Sequence, residues 1–182
     1  YDMGQNIVNG FKNINVSGTT TSIGMLAAYS YLDPSCGIEQ YQGSVNDQSR
    51  NTVTLAGGDL KVTATAAGRS AYGLDAEGYS TNTLNGVKNI DVEATDAASG
   101  DAVGVGAWDK GINNVTMTGD IVAKSANGEA DGVWSDSGTT TTVTGFTGIT
   151  AEGKTLSYAL AANGGTINAT GADAGFTLAG QV

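Results

Sequence analysis

Few residues in this chain are equipped for chemistry, and the one that is missing matters most. There is no histidine, a single cysteine (Cys36), and 18 acidic residues stand against 8 basic ones for a net charge of −10. Without histidine, Ser-His-Asp and Cys-His nucleophile activation and His-based zinc sites are excluded. The bases are scattered singly, so neither nucleic acid nor an anionic membrane finds the clustered Lys and Arg it needs. A lone cysteine makes no internal disulfide.

One motif has the form of a catalytic element. Gly148-Ile-Thr-Ala-Glu-Gly-Lys154-Thr155 fits the phosphate-binding loop G-x-x-x-x-G-K-[ST] at every fixed position. Such a loop needs a helix after it to hold the phosphates, and Asn163-Gly164-Gly165 leaves too little room for one. The residues fit equally well as a turn, with Glu152-Gly153-Lys154 at its tip. Acid groups beside turns (Asp75 with Glu77, Asp96 with Asp101, Glu129 with Asp131 and Asp136) raise the question of calcium. The repeat that would supply six to eight oxygens is absent, and Gly57-Gly58-Asp59 is only a fragment of it. These acids therefore read as solvated turn residues, and no metal or cofactor is expected. A polysaccharide lyase would draw its base from Arg69 or Lys110 near Asp75, Asp109 and Asp136, but the negative surface repels a polyuronate. Paired carboxylates for glycoside hydrolysis remain open on any acidic surface, so a polysaccharide-active enzyme stands as a minor alternative.

The aromatic residues suit contact better than catalysis. Trp108 and Trp134 lie beside Gly104, Gly106 and Gly132, and the alternation that turns Val105 and Val133 inward turns both indoles outward. Exposed aromatics flanked by glycine stack on sugar rings or dock on a protein, or else cover a turn. Tyr29, Tyr31 and Tyr41 fall in the one stretch that breaks the pattern of the chain, residues 29–50, which also holds the only proline and Cys36. That stretch reads as an insertion on a binding face or as a cap. The triplets at Asn15, Asn114 and Asn168 that match glycosylation acceptors are expected by chance in an Asn/Thr-rich chain.

What positions these residues is a repeat. Blocks such as Asn51-Thr-Val-Thr-Leu-Ala-Gly57, Thr81-Asn-Thr-Leu-Asn-Gly86, Asn113-Asn-Val-Thr-Met-Thr-Gly119, Thr140-Thr-Thr-Val-Thr-Gly145 and Gly165-Thr-Ile-Asn-Ala-Thr-Gly171 recur. Their central apolar residues Val53, Leu84, Val115, Val143 and Ile167 are 31, 31, 28 and 24 residues apart, a period typical of solenoids. An alternating run follows each glycine (Ile14–Gly18, Leu60–Ala64, Ile90–Ala94, Ile121–Ala123, Ile149–Ala151). A small-residue strand comes next (Ile23–Ala27, Ala71–Leu74, Ala102–Val105, Ala130–Val133, Ser157–Leu160). Strand, turn, strand, turn, strand describes one coil of a parallel β-helix, with Ile90, Val92, Ala94, Val115 and Met117 inside and Asp91, Glu93, Thr116 and Thr118 outside. An antiparallel sandwich would want hairpin turns, for which Asn85-Gly86 and Asn127-Gly128 are the candidates. Outward Thr and Asn of the third strand form a ladder of the kind some ice-binding proteins use, but unequal coil lengths argue against a flat lattice.

The phrases Asn113-Asn-Val-Thr-Met-Thr-Gly-Asp-Ile-Val-Ala123 and Gly145-Phe-Thr-Gly-Ile-Thr-Ala151 resemble the passenger domains of Gram-negative autotransporters and two-partner-secreted adhesins, over Phe11 to Gly171. The resemblance implies an all-β, single right-handed parallel β-helix, export, and a role in adhesion or aggregation. It supplies no catalytic residues, and no barrel segment accompanies it.

The expectation is one β-helix domain over residues 1–182, of about five to six three-strand coils. It would be extracellular or on a bacterial cell surface, and non-catalytic, acting in adhesion or as a stalk. Its partners would be a protein or glycan of a host or neighbouring cell, through Tyr29, Tyr31, Tyr41, Trp108 and Trp134. The alternative is a filament or surface-layer subunit joined end to end through the final strand, at Phe176 and Leu178, more readily at high salt. No stretch approaches the roughly 18 apolar residues of a membrane span, and a start at Tyr1 suggests a processed or excised chain.

Overall fold

A computed structural model describes residues 5–28, 49–95 and 98–171, and the backbone of 175–180. Its elements are strands β1 to β17, and all of the pairing between them is parallel. Three sheets wind around one core. Sheet A runs β1 (Gln5–Phe11), β4 (Arg50–Leu55), β7 (Thr81–Val87), β10 (Ile112–Met117), β13 (Thr140–Thr144), β16 (Thr166–Thr170). Sheet B runs β2 (Ile14–Gly18), β5 (Leu60–Ala64), β8 (Ile90–Ala94), β11 (Asp120–Ser125), β14 (Gly148–Gly153), β17 (Gly175–Gly180). Sheet C runs β3 (Ser22–Ala27), β6 (Ala71–Glu77), β9 (Ala102–Trp108), β12 (Ala130–Asp136), β15 (Ser157–Asn163). Each strand thus pairs with the strand three elements earlier and three later. This is a parallel β-helix of five three-strand coils followed by β16 and β17, and it replaces the sandwich alternative.

The core follows the alternation in the sequence. Leu84, Val115 and Val143 share one inward row, Ile90, Ile121 and Ile149 another, and all are buried. Coils stack about 4.8 Å apart, so each inward side chain packs against its equivalents above and below. In sheet C the pairing skips Gly24, Gly73, Gly104 and Gly132. This kink lets Ala71 and Leu74, three residues apart, both reach the core. A side chain at these glycines would strike the next coil. An added Cβ would sit 2.6 Å from the Gly73 carbonyl oxygen at Gly24, and 2.5 Å from that of Gly132 at Gly104.

Polar ladders fix the corners. Asn6, Asn51, Asn82 and Asn113 stand in one inward row, each Nδ2 donating to the next Oδ1, at 2.9, 3.0 and 3.2 Å. Asn82 and Asn113 are fully buried and also donate to the Asp75 and Gly106 carbonyls, at 2.7 and 2.6 Å, tying sheet A to sheet C. At the turn from A to B, Asn13, Asp59, Asn89 and Asp120 receive backbone or side-chain donors from the coil above. A buried amide costs little when every donor and acceptor is paired.

Several sequence expectations shift. Ile167 pairs with Thr141, and Ala169, not Ile167, stands opposite Val143, so the last coil sits two residues out of the assumed alignment. Arg50 is the first residue of β4, opposite Gln5 and Thr81, and so belongs to a coil, not to the insertion. The earliest copy of the block that includes Asn51–Gly57 is Asn6-Ile-Val-Asn-Gly10 in β1, which pairs with β4 and is not among the copies named from the sequence. The outward Thr and Asn rows of sheet A stay in step, as in Thr52, Thr83, Asn114, Thr142 and Asn168. Differences in coil length are taken up in the turns, so they do not disorder this face. Tyr29, Tyr31, Tyr41 and Cys36 lie outside the described residues.

Candidate functional site

The outer surface of sheet C gathers aromatic rings and carboxylates. One outward row is Ile23, Tyr72, Val103, Asp131 and Tyr158, and the next is Leu26, Asp75, Gly106, Trp134 and Ala161. Trp108 comes two residues after Gly106 on the same face, and its indole folds back over that glycine, so that any Cβ at residue 106 would collide with the ring. Glycine at 106 is therefore what lets the indole lie flat along the strand. There it meets Tyr72 edge-on, with ring centroids 5.6 Å apart. Trp134, in register with Gly106, meets Tyr158 at 6.4 Å. All four rings keep part of their surface in solvent, and Leu26 adds an exposed apolar side chain. Trp108 and Trp134 thus occupy adjacent coils and face outward, as the alternation implies.

Two acids on this face contradict the reading of solvated turn residues. Asp75 lies within β6 and Asp131 within β12, and each is only 5% exposed. In each, Oδ1 is buried without a hydrogen-bond partner, as is the Nε1 of Trp134. Burial is the main force on both carboxyls and pushes each up to about 7, with Glu77 adding to Asp75, and Glu129 and Asp101 to Asp131. Burial likewise raises the Tyr72 hydroxyl and Glu129. The sequence gives no hint of this, because alternation puts both acids outside. Asp75 stands opposite Gly106, over which the Trp108 indole lies, and Asp131 stands opposite Tyr158.

The two acids are not a hydrolytic pair. Register places them two coils apart, about 9.6 Å across the ladder, before their three-residue offset along the strand is added. A retaining pair needs about 5 Å between carboxyls and an inverting pair about 6.5–9.5 Å, and two coils with a three-residue offset put the two backbone positions about 14 Å apart. Of the candidate lyase bases, Lys110 sits with Nζ 4.6 Å above the Tyr79 ring and 2.5 Å from its hydroxyl. Among the described residues no group of three or more Asp, Glu or Cys is placed to hold a metal ion. The loop-like motif Gly148–Thr155 forms β14 and a turn, with β15 rather than a helix after it, and Lys154 donates to Asn127 at 2.8 Å.

The remaining contact candidates lie at the end of the rod. The backbone of Phe176 and Leu178 in β17 pairs opposite Ile149 and Ala151 of β14, and their side chains lie outside the described residues. In the neighbouring β15, Leu160 stands in the core row of Val133 yet is 37% exposed, since no described strand covers it. Among the described residues no helix is long and apolar enough to cross a membrane.

Fold and site together define a parallel β-helix that displays an aromatic, acid-bearing face on one of its three sheets. No family model matches the chain, and neither a curated protein nor a solved structure does.

Proposed function

We propose that this protein is a non-catalytic β-helix of a bacterial cell surface or its surroundings, acting in adhesion or as a stalk that presents a contact face. The observation that carries the reading is the outer surface of sheet C, where Tyr72, Trp108, Trp134 and Tyr158 lie on four successive coils. These are four of the twelve aromatic residues in a chain that is only 7% aromatic. Partly exposed aromatics on a rigid support contribute large contact area at little entropic cost, as recognition surfaces require. The resemblance to autotransporter passengers and two-partner-secreted adhesins agrees with this reading, as does the lack of histidine. Beads coated with the chain, presented to cells, matrix proteins and glycans, test it. Adhesion should occur and should fall sharply for Trp108→Ser/Trp134→Ser. Beads that adhere nowhere, or that adhere equally with both indoles removed, overturn the proposal.

A second reading, end-to-end assembly into a filament or surface layer, draws on the last described coil, beyond which no described strand lies. Leu156 and Leu160 are exposed there, and β15, β16 and β17 are the outermost strands of their sheets. Such edges accept further strands. Light scattering and negative-stain microscopy at low and high salt decide it: filaments of uniform width support the reading, and persistent monomers remove it.

A further inference from the structure

The sheet C face is acidic as well as aromatic, and that combination selects a partner. Its five strands carry Asp75, Glu77, Asp131 and Asp136 and not one Lys or Arg. By contrast, the outer surface of sheet B mixes both signs, with Lys61, Asp91 and Glu93, and Lys124 paired to Glu152 at 2.8 Å. Sheet A is almost uncharged outside, its rows being mainly Thr and Asn. Three buried polar atoms of sheet C lack hydrogen-bond partners, the Oδ1 atoms of Asp75 and Asp131 as acceptors and the Trp134 Nε1 as donor. A Tyr–Trp edge pair with a buried carboxylate three residues from one of its rings, on the same strand, occurs twice. It is Tyr72 and Trp108 with Asp75, then Trp134 and Tyr158 with Asp131.

We infer that this face binds an extended polypeptide segment bearing arginine side chains. A guanidinium is planar and weakly hydrated, so it stacks on an indole or phenol while donating in its own plane to a carboxylate. That geometry meets both needs of each Tyr–Trp–Asp group. A lysine ammonium is more strongly hydrated and presents no flat face, so it gains less here. The polypeptide backbone supplies what a small organic cation lacks, a carbonyl to accept from Trp134 Nε1. The covering rings are partly exposed, so a rotamer change of Trp108 or Trp134 opens each carboxylate to the incoming donor. Binding a cation restores the ionised carboxylate that burial alone disfavours. The two groups are two coils apart, so side chains a few residues apart on an extended segment reach both. This inference rests on sheet C being the contact face and names what it contacts.

The test is a tryptophan-fluorescence titration with an oligo-arginine peptide, run beside oligo-lysine of equal length and uncharged oligosaccharides. Oligo-arginine should bind more tightly than oligo-lysine, weaken with salt and perturb the emission. Asp75→Asn/Asp131→Asn should weaken oligo-arginine by about thirtyfold, as expected for truncating buried charge pairs. Asp91→Asn/Glu93→Gln on sheet B removes the same net charge and should change binding by about twofold or less. Trp134→Phe keeps an aromatic ring, loses the N–H and should cost a few-fold. Circular dichroism verifies that each variant is folded. Equal losses for the two acid pairs would reduce the binding to general electrostatics and overturn the proposal, as would no binding of oligo-arginine. Oligosaccharide binding that survives Asp75→Asn/Asp131→Asn also overturns it, yet leaves sheet C as the contact face. Bead adhesion that survives loss of both indoles instead refutes the contact face itself.

Discussion

Replacing the two buried carboxyls should make the protein more stable at neutral pH, with a sign that reverses in acid. Asp75 and Asp131 have an ordinary value of 3.8, raised to about 7 in the folded chain. Below about pH 4 both states hold the proton and nothing is lost. As the pH rises from about 4 to about 7, the unfolded chain gives up these protons while the folded chain keeps them, so stability falls throughout that window. Above pH 7 the loss levels off at about 4 kcal/mol for each carboxyl, from 1.36 kcal/mol for each tenfold change in acidity. Asp75→Asn removes the ionisation but leaves a buried amide whose N–H groups lack acceptors, a cost of about 1–3 kcal/mol. The net expectation is a gain of about 1–3 kcal/mol per site at pH 8, and a loss of about 1 kcal/mol at pH 4. Denaturant unfolding of wild type, each single variant and the pair at pH 4, 6 and 8 measures this directly. Comparing variants at each pH removes the general self-repulsion of a chain carrying a net −10. Curves for Asp75→Asn/Asp131→Asn that run parallel to wild type from pH 4 to 8 would refute the argument, because they would mean that the carboxyls titrate as if in water.

Other perturbations probe the frame. Asn82→Ala should cost about 3 kcal/mol by denaturant unfolding, because it strands the Asp75 carbonyl and breaks the ladder between Asn51 and Asn113. Gly104→Ala should cost about 3 kcal/mol or more, since its Cβ would press on the Gly132 carbonyl and the Ile121 side chain. Gly106→Ala should leave stability within about 1 kcal/mol but displace the Trp108 indole, seen as a red shift of tryptophan emission. By letting water reach Asp75, the same change should also flatten the pH dependence above.

The fold was legible because a β-helix writes its period into the sequence. Val53, Leu84 and Val115 recur at the interval of one coil and share one register row. The alternation around them sorts inside from outside. The signal weakened at the two ends, where each strand has a neighbour on one side only. Gly10 and the exposed Ile7 and Phe11 hid β1, and in the last coil Ile167 was aligned by its type although register favours Ala169. The Asn ladder was present in the sequence as Asn51, Asn82 and Asn113 at a constant interval of 31 residues, a signal stronger than the Thr pattern beside it. The burial of Asp75 and Asp131 was not legible. For Asp75 it follows from the Trp108 indole lying over Gly106, the residue opposite, which depends on the missing Cβ of Gly106 and on Tyr72, 36 residues earlier in the chain. Alternation predicts the face a side chain is on, not what lies across that face.

The ladders also explain how a chain of small, uncharged residues holds an expensive surface. Orphaned carboxylates beneath aromatic rings lower stability, and a compact domain would relax by letting the strand shift or bend. Here the Asp75 strand is held from inside: Asn82 donates to the Asp75 carbonyl and Asn113 to the Gly106 carbonyl, so the backbone beneath both the acid and the Trp108 indole is pinned to sheet A. The glycine kink adds a second constraint, since β3, β6, β9 and β12 approach too closely at Gly24, Gly73, Gly104 and Gly132 for any of these strands to slip by a residue. In a solenoid each coil contacts only its neighbours, so such a constraint acts locally and the cost is borne by the coils that carry the site. The cost of ionising Asp75 and Asp131 is therefore relieved by protonation or, on the proposal above, by a ligand that supplies donors, and not by relaxation of the frame.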